Sequence, residues 1–262
     1  MQDPRPFQSL STEDAIARLK WASDVHTKID PVLTLLRSFC ANRPDHLKYV
    51  VSWLASVKQG IQTGIALVLQ GDGPTGKSLF AKKLLESIRP SFESIDMDFF
   101  GRFSPPGLAE NTNLLCIDGV GVHSLRDHRG DLDAMISEGK LTIAQPPSLL
   151  LASHLNVLLV TQQLPPGETL AGPYCVLDCD PAWQLRDTTP AAKRDFFQAV
   201  AAVDPTELTR FLREVDVSQW KPLNFPEIAH AYFEPKTPPS LPIACQWVGQ
   251  HTSRSTLPPQ FN

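Results

Sequence analysis

The chain has 262 residues with 24 Lys plus Arg against 28 Asp plus Glu, a net charge of −4; this allows one sizeable core with an appendage and excludes a global basic field. Its 42% hydrophobic and 20% charged content excludes wholesale disorder. Five scattered cysteines without a C-x-x-C pair argue against a disulfide framework or a zinc site, and no segment reads as a leader or a bilayer span, so a reducing cytoplasm is the expected setting.

In chain order, Ser11 and Thr12 precede an acidic first turn and the apolar-periodic stretch DAIARLKWA, predicting a helix that ends near Ser23. A second helix is predicted over 31–40. A third starts at Pro44, carries Leu47, Val50, Val51, Leu54 and Val57 on one face, and stops at Gly60. From residue 65 the texture changes to short continuous apolar runs, which is how strands covered on both faces read. They are IALVL (65–69), NLLCI (113–117), NVLLVT (156–161) and YCVLD (174–178), with a more polar candidate at FESIDMD (92–98). Helical patterns at 77–88 and 129–138 lie between them, so a largely parallel sheet with helical crossovers is predicted. Residues 140–155 read as a hairpin. Helix returns over 191–203 and again from Asp204-Pro205-Thr206-Glu207, which combines a cap, a first-turn proline and a capping-box glutamate. The tail from 252 has little to bury.

One motif carries chemistry. Residues 71–78, GDGPTGKS, satisfy G-x-x-x-x-G-K-[ST] between an apolar strand and a helix, the context this motif requires. Gly71, Gly73 and Gly76 allow backbone N–H groups to turn around a phosphate chain, with Asp72, Pro74 and Thr75 between them, and the helix points its positive end at that anion. Lys77 is placed to reach the β- and γ-phosphates, and the Ser78 hydroxyl to bind Mg²⁺. Asp118 ends the run NLLCI, where a carboxylate would hold the same ion through water. The fold class is therefore α/β, a P-loop nucleotide-binding core with ATP and Mg²⁺ as its expected ligands. It divides into an N-terminal helical segment (1–60), the core (61–188), a C-terminal helical subdomain (189–251) and a loose tail (252–262).

At this point the sequence resembles the superfamily 3 helicases, in particular the helicase module of phage, plasmid and poxvirus-type primase–helicases. YVVSWLASVKQG (49–60) ahead of IALVLQGDGPTGKS looks like that family's helix before its Walker A strand. SEGKLTIAQ (137–145) resembles the approach to its DNA-contacting hairpin, and NVLLVTQQ (156–163) its sensor strand. The stretch 211–248, with D-x-S-x-W and a final Trp, is similar to its ending. The resemblance covers roughly 45–250 and implies an AAA+-like ATPase, usually hexameric, that encircles single-stranded or forked DNA and works with replication proteins. The residues ahead of it are too few for a primase module.

The chain also departs from that pattern. Gly119 stands where the family has a second acidic residue to polarise water, and Gln162 and Gln163 where its sensor strand ends in Ser/Thr-Asn. Gly172 and Pro173 replace the arginine pair of the finger, and Pro146-Pro147-Ser148 with His154 replaces the hairpin lysine. These changes fall on hydrolysis and DNA grip, not on nucleotide binding. Arg186 or Arg129 is the candidate substitute finger, and Glu138 the candidate alternative base. His123 to Arg129, with two His and two Arg, reads foremost as a solvated loop, and Trp53, Trp183, Trp220 and Trp247 as core. Three functions follow: an ATP-dependent DNA helicase-type motor, a nucleotide-binding structural or regulatory subunit, and, less well supported for want of an Arg-rich lid, a small-molecule P-loop kinase.

Overall fold

The apolar runs become strands because neither of their faces meets water. A computed structural model describes residues 27–94, 111–139, 141–143, 149–152, 154–162, 173–179 and 189–222. The predicted helix before Ser23, residues 144–148 of the predicted hairpin, Gln163, Gly172, Trp183, Arg186, Trp247 and the tail lie outside these. The central sheet is built from β1 (Ala66–Gln70), β2 (Ser91–Ser94), β3 (Leu114–Asp118), β6 (Asn156–Thr161) and β7 (Tyr174–Asp178). Its order is β2-β3-β6-β1-β7 and every neighbouring pair is parallel. The predicted hairpin is present as the antiparallel pair β4 (Leu141–Ile143) and β5 (Leu149–Ala152), with a register shift between Leu141 and Thr142.

Successive strand residues feed opposite layers, as a two-residue side-chain period requires. Leu67, Leu69, Leu158, Val160, Cys175 and Leu177 face a layer made by α1 (Asp30–Phe39), α2 (Pro44–Lys58), α3 (Lys77–Ser87), α6 (Pro190–Ala202) and α7 (Pro205–Glu214). Val68, Leu115, Ile117, Val157 and Leu159 face Leu125 of α4 (Val122–Asp127) and Leu132, Met135 and Ile136 of α5 (Arg129–Glu138). Each such fully buried side chain contributes about 1.5–3 kcal/mol.

One cluster of buried side chains runs from Ile29 and Val32 through Leu84 to Val200, Phe211 and Leu212, so the helices before and after the sheet share a core. This changes the reading of α2. The sequence predicts a single apolar face, whereas Tyr49, Ser52, Trp53, Ala55 and Ser56 are buried as well, because sheet and neighbouring helices enclose the helix. Trp53 Nε1 reaches the Ile65 carbonyl at 2.9 Å, which lets an indole sit wholly inside. The segment from His123 is also corrected: it is helix α4, anchored by buried Leu125, rather than a solvated loop.

Asp204 caps the last helix as predicted, and Thr189, which the sequence reading does not name, caps the one before it. Thr189 accepts from Ala192 N, and Asp204 accepts from Thr206 N at 2.8 Å. The Glu207 carboxylate meets Arg210 at 2.9 Å and Lys28 at 3.2 Å, and so ties α7 to the start of the described chain.

At the N-terminal edge of the sheet, the side chain of Asn156 binds three segments together. Its Oδ1 accepts from Thr63 N and Thr63 Oγ1, both at 2.8 Å, while Nδ2 donates toward the carbonyls of Ile61, Asn113 and His154. Among the described residues no helix is long and apolar enough to cross a membrane.

Candidate nucleotide site

The C-terminal edge of the sheet holds the motif. β1 ends at Gln70, and the chain turns through 71–76 directly into α3. Gly71 N donates to the Thr161 carbonyl at 3.3 Å, pinning the loop to the end of β6, and Thr75 N donates to the Gly73 carbonyl at 2.9 Å. Gly73 has φ +70°, and a Cβ there would meet nothing within 4 Å, so that side of the loop is open.

Gly76 is the opposite case. Its φ is +91°, and a Cβ would lie 2.8 Å from Phe197 Cε1 and 3.2 and 3.3 Å from the Leu35 methyls. The loop is thus wedged between α1 and α6 where only glycine fits. Gly76 is also the N-cap of α3 and offers no side-chain bond to it. The uncapped first-turn N–H groups and the positive helix end are the elements of an anion site.

Lys77 is buried, and its ammonium donates to the Gly71 carbonyl at 2.5 Å, to Thr75 Oγ1 at 3.0 Å and toward the Gly73 carbonyl at 3.5 Å. A buried ammonium needs acceptors for its three protons, and the loop's own oxygens supply them. Burial pulls its pKa below the usual lysine value, and the carboxylates of Asp72, Asp118 and Asp178 push it back up.

Asp118 closes β3, half-buried, and stands in register with Val160 of β6, while Gln70 stands in register with Thr161. One strand therefore separates it from the loop, roughly 10 Å between the outer strand axes. Ser78 is exposed in the first turn of α3. A hydroxyl and a carboxylate are hard oxygen donors of the kind Mg²⁺ takes. Asp72 and Pro74 are exposed, while Thr75 is buried.

Sequence reading missed Asp178. It closes β7, directly beside Gln70, and its charge also acts on Lys77, so carboxylates flank the loop from both sides. The signal was available, because YCVLD ends in Asp as NLLCID does. Leu35 and Phe197 were also missed, and nothing in their local sequence marks them.

Other expected residues are placed elsewhere. Glu138 is the last residue of α5, and the following Gly139 carbonyl accepts from Leu155 N at the N-terminal edge of β6, the far side of the sheet from the loop. A base for phosphate chemistry it is not. Pro173 is at that same far edge, its carbonyl accepting from Ala66 N, and so is exposed His154. Arg129 Nε lies 3.7 Å from Asp133, one turn away on α5. Gln162 is exposed just past β6.

Gly119, where the resemblance leads one to expect a carboxylate, sits in a turn fixed by backbone bonds. Its φ is +79°, its N–H donates to the Val160 carbonyl at 3.0 Å, Val120 N donates to the same oxygen, and Thr161 Oγ1 donates to the Val120 carbonyl. The turn after Asp118 is folded back on β6 in a conformation that L side chains avoid.

No family model and no curated protein matches the sequence. Among solved structures the chain is similar to the apo structure of the NrS-1 C-terminal region, at 17% identity and a TM-score of 0.55. The A form of that apo region is similar at 18% identity and a TM-score of 0.55. In both cases the match covers 72% of this chain and 46% of the other, so the chain spans about half the length of those structures. At such identities the likeness concerns the fold, a parallel α/β sheet layered with helices.

Proposed function

We propose that this chain is an ATP-binding, Mg²⁺-dependent P-loop protein with an AAA+-like core, of superfamily 3 helicase type, acting on DNA in the replication of a phage or mobile element. The observation that carries this reading is the pairing of a glycine loop and uncapped helix after β1 with Asp118 at the end of β3, on one sheet edge and with β6 between the two strands. An inserted strand at that place is what an AAA+-like arrangement needs. The loop's N–H groups and Lys77 would hold the phosphates, and Ser78 and Asp118 the metal, which supplies charge neutralisation at the phosphates. The motif resemblance supports a homo-oligomer, a hexamer, around single-stranded or forked DNA.

The test is binding of a fluorescent ATP analogue with and without Mg²⁺, followed by ATPase assays with and without single-stranded DNA and light scattering of the full chain. Expected are micromolar Mg²⁺-dependent binding lost in Lys77→Ala and a nucleotide-promoted oligomer. Equal binding by Lys77→Ala would overturn the nucleotide reading, and a monomer at tens of micromolar with ATP would overturn the motor.

Gly119 favours a second reading, a structural or regulatory subunit that binds ATP and turns it over slowly. Lys77, Ser78 and Asp118 keep ground-state contacts, whereas no carboxylate follows Asp118 to orient water. Loss of general-base help alone is worth about 10²–10⁴-fold. Turnover of several per second stimulated by DNA would exclude this second reading.

A further inference from the structure

Strand β6 runs through the middle of the candidate site, with β3 and Asp118 on one side and β1 and the phosphate loop on the other. Its interior, Val157 to Val160, is apolar, and it closes on buried Thr161. A buried hydroxyl costs free energy unless it is hydrogen-bonded, so its partner tells what it does there.

Two bonds of Thr161 reach opposite halves of the site. Its carbonyl accepts from Gly71 N, the first residue of the loop, at 3.3 Å. Its Oγ1 donates to the Val120 carbonyl at 2.8 Å, in the turn that leaves Asp118. The strand register agrees, because Thr161 stands opposite Gln70 of β1 and the preceding Val160 opposite Asp118. The Val160 carbonyl takes the N–H groups of Gly119 and Val120 at 3.0 and 3.1 Å, and the Val120 side chain is buried in the layer under α4 and α5. A hydroxyl has one proton, and this one goes to Val120, which leaves none to give to a phosphate. Thr161 therefore acts by placing other groups.

The spacing it sets bears on a metal. Mg²⁺ tolerates little departure from octahedral geometry at about 2.0–2.1 Å. Its expected protein donors stand on different elements, Ser78 on α3 and Asp118 at the end of β3, so the protein has to fix their separation. Thr161 is bonded both to the loop that leads into α3 and to the turn that leaves β3.

We propose that Thr161 is a positioning residue for Mg²⁺: its hydroxyl, through the Val120 carbonyl, holds Asp118 in place relative to the phosphate loop. The proposal rests on the nucleotide reading above. Thr161→Val keeps the carbonyl that holds Gly71 and removes the proton given to Val120, so the loop's grip on phosphate persists while the metal's contribution falls.

The test is titration of the fluorescent ATP analogue into the full chain, at stepped Mg²⁺ concentrations and in EDTA. The readout is the Mg²⁺ concentration that gives half of the gain in affinity. In Thr161→Val this midpoint should rise about threefold to tenfold, the worth of one hydrogen bond, with affinity in EDTA unchanged. Thr161→Ser, which keeps the proton, should restore the midpoint. Thr161→Cys, a weaker donor, should shift it less, and serves if Thr161→Val does not fold. Asn156→Ala removes bonds at the opposite end of the same strand and should leave the midpoint at the wild-type value, which separates positioning from lost stability. An unmoved midpoint in Thr161→Val, an equal shift in Asn156→Ala, or binding lost in EDTA by Thr161→Val would each overturn the proposal. Lys77→Ala keeps the two failures apart. If it binds like wild type, the nucleotide reading itself is wrong; if it loses binding while the Thr161→Val midpoint stays put, the positioning role alone is wrong.

Discussion

Replacing Gly76 by alanine tests whether the phosphate loop is wedged as the structure has it. Two costs are separable. A non-glycine residue at φ +91° loses about 1–2 kcal/mol to backbone sterics. The new methyl also starts 2.8 Å from Phe197 Cε1, the far end of a half-buried ring, and turning that ring off its rotamer costs about 0.5–1.5 kcal/mol. The Leu35 methyls, at 3.2 and 3.3 Å, need give only tenths of an ångström. The sum is about 1.5–3.5 kcal/mol, or roughly 3–14 °C in Tm at 2–4 °C per kcal/mol. Calorimetry of wild type, Gly76→Ala, Phe197→Ala and the double variant separates the terms, since removing the ring abolishes the clash and leaves the backbone strain. The coupling energy should be about 0.5–1.5 kcal/mol in favour of the double variant. A Gly76→Ala protein within 0.5 kcal/mol of wild type, or strictly additive single effects, would refute the wedge.

Asn156→Ala should cost about 2–4 kcal/mol in urea unfolding, because it strands the buried Thr63 N–H and loosens three segments at once, while the Thr63 hydroxyl keeps the Ile65 carbonyl. Gly119→Glu should lose about 1–2 kcal/mol of stability without a rise in kcat, since φ +79° resists the side chain; a large gain in turnover would show that the turn reshapes freely. Stability should also fall between pH 8 and pH 10. Burial holds the thiols of Cys40, Cys116 and Cys179 well above the ordinary value of 9.0 and pushes Cys175 up to about 12. Below pH 9 both states keep these protons, and above it the unfolded chain sheds them while the fold retains them, so stability is lost as pH rises. The cost is about 1.4 kcal/mol per thiol at pH 10, opposed in part by Lys77, whose lowered pKa acts in the other sense. Equal urea midpoints at pH 8 and pH 10 would contradict it.

The sheet was legible because a parallel strand buried on both faces has to be an apolar run, and each of the runs 65–69, 113–117, 156–161 and 174–178 met that condition. The turn at 71–76 between strand and helix was legible because its glycines answer a local backbone demand. What escaped depends on contacts far apart in sequence. Phe197 reaches Gly76 across more than a hundred residues, and Asp178 gains meaning only from lying beside Gln70 in the sheet. Helix α2 was read as one-faced because its sequence cannot show that α7 and the sheet enclose its other sides. Glu138 seemed close to Walker chemistry in the chain, yet α5 runs away from the loop and delivers it to the opposite edge.

The loop's oxygens and an incoming phosphate compete for one ammonium. Lys77 now serves the Gly71 and Gly73 carbonyls and Thr75 Oγ1, so on the proposed reading a nucleotide binds only the fraction of molecules in which this lysine has let go. Thr75→Val keeps the shape of the buried side chain and removes one of the three acceptors. A hydrogen bond to a charged group is worth about 1.5–3 kcal/mol; the two carbonyls recover part of it, leaving the closed form weaker by about 1 kcal/mol. Affinity for the fluorescent ATP analogue should then rise about fivefold, while Lys77→Ala still abolishes binding. The readout is the dissociation constant at fixed Mg²⁺. Weaker binding in Thr75→Val would mean that the hydroxyl serves the nucleotide directly, and that the closed loop is no barrier to it.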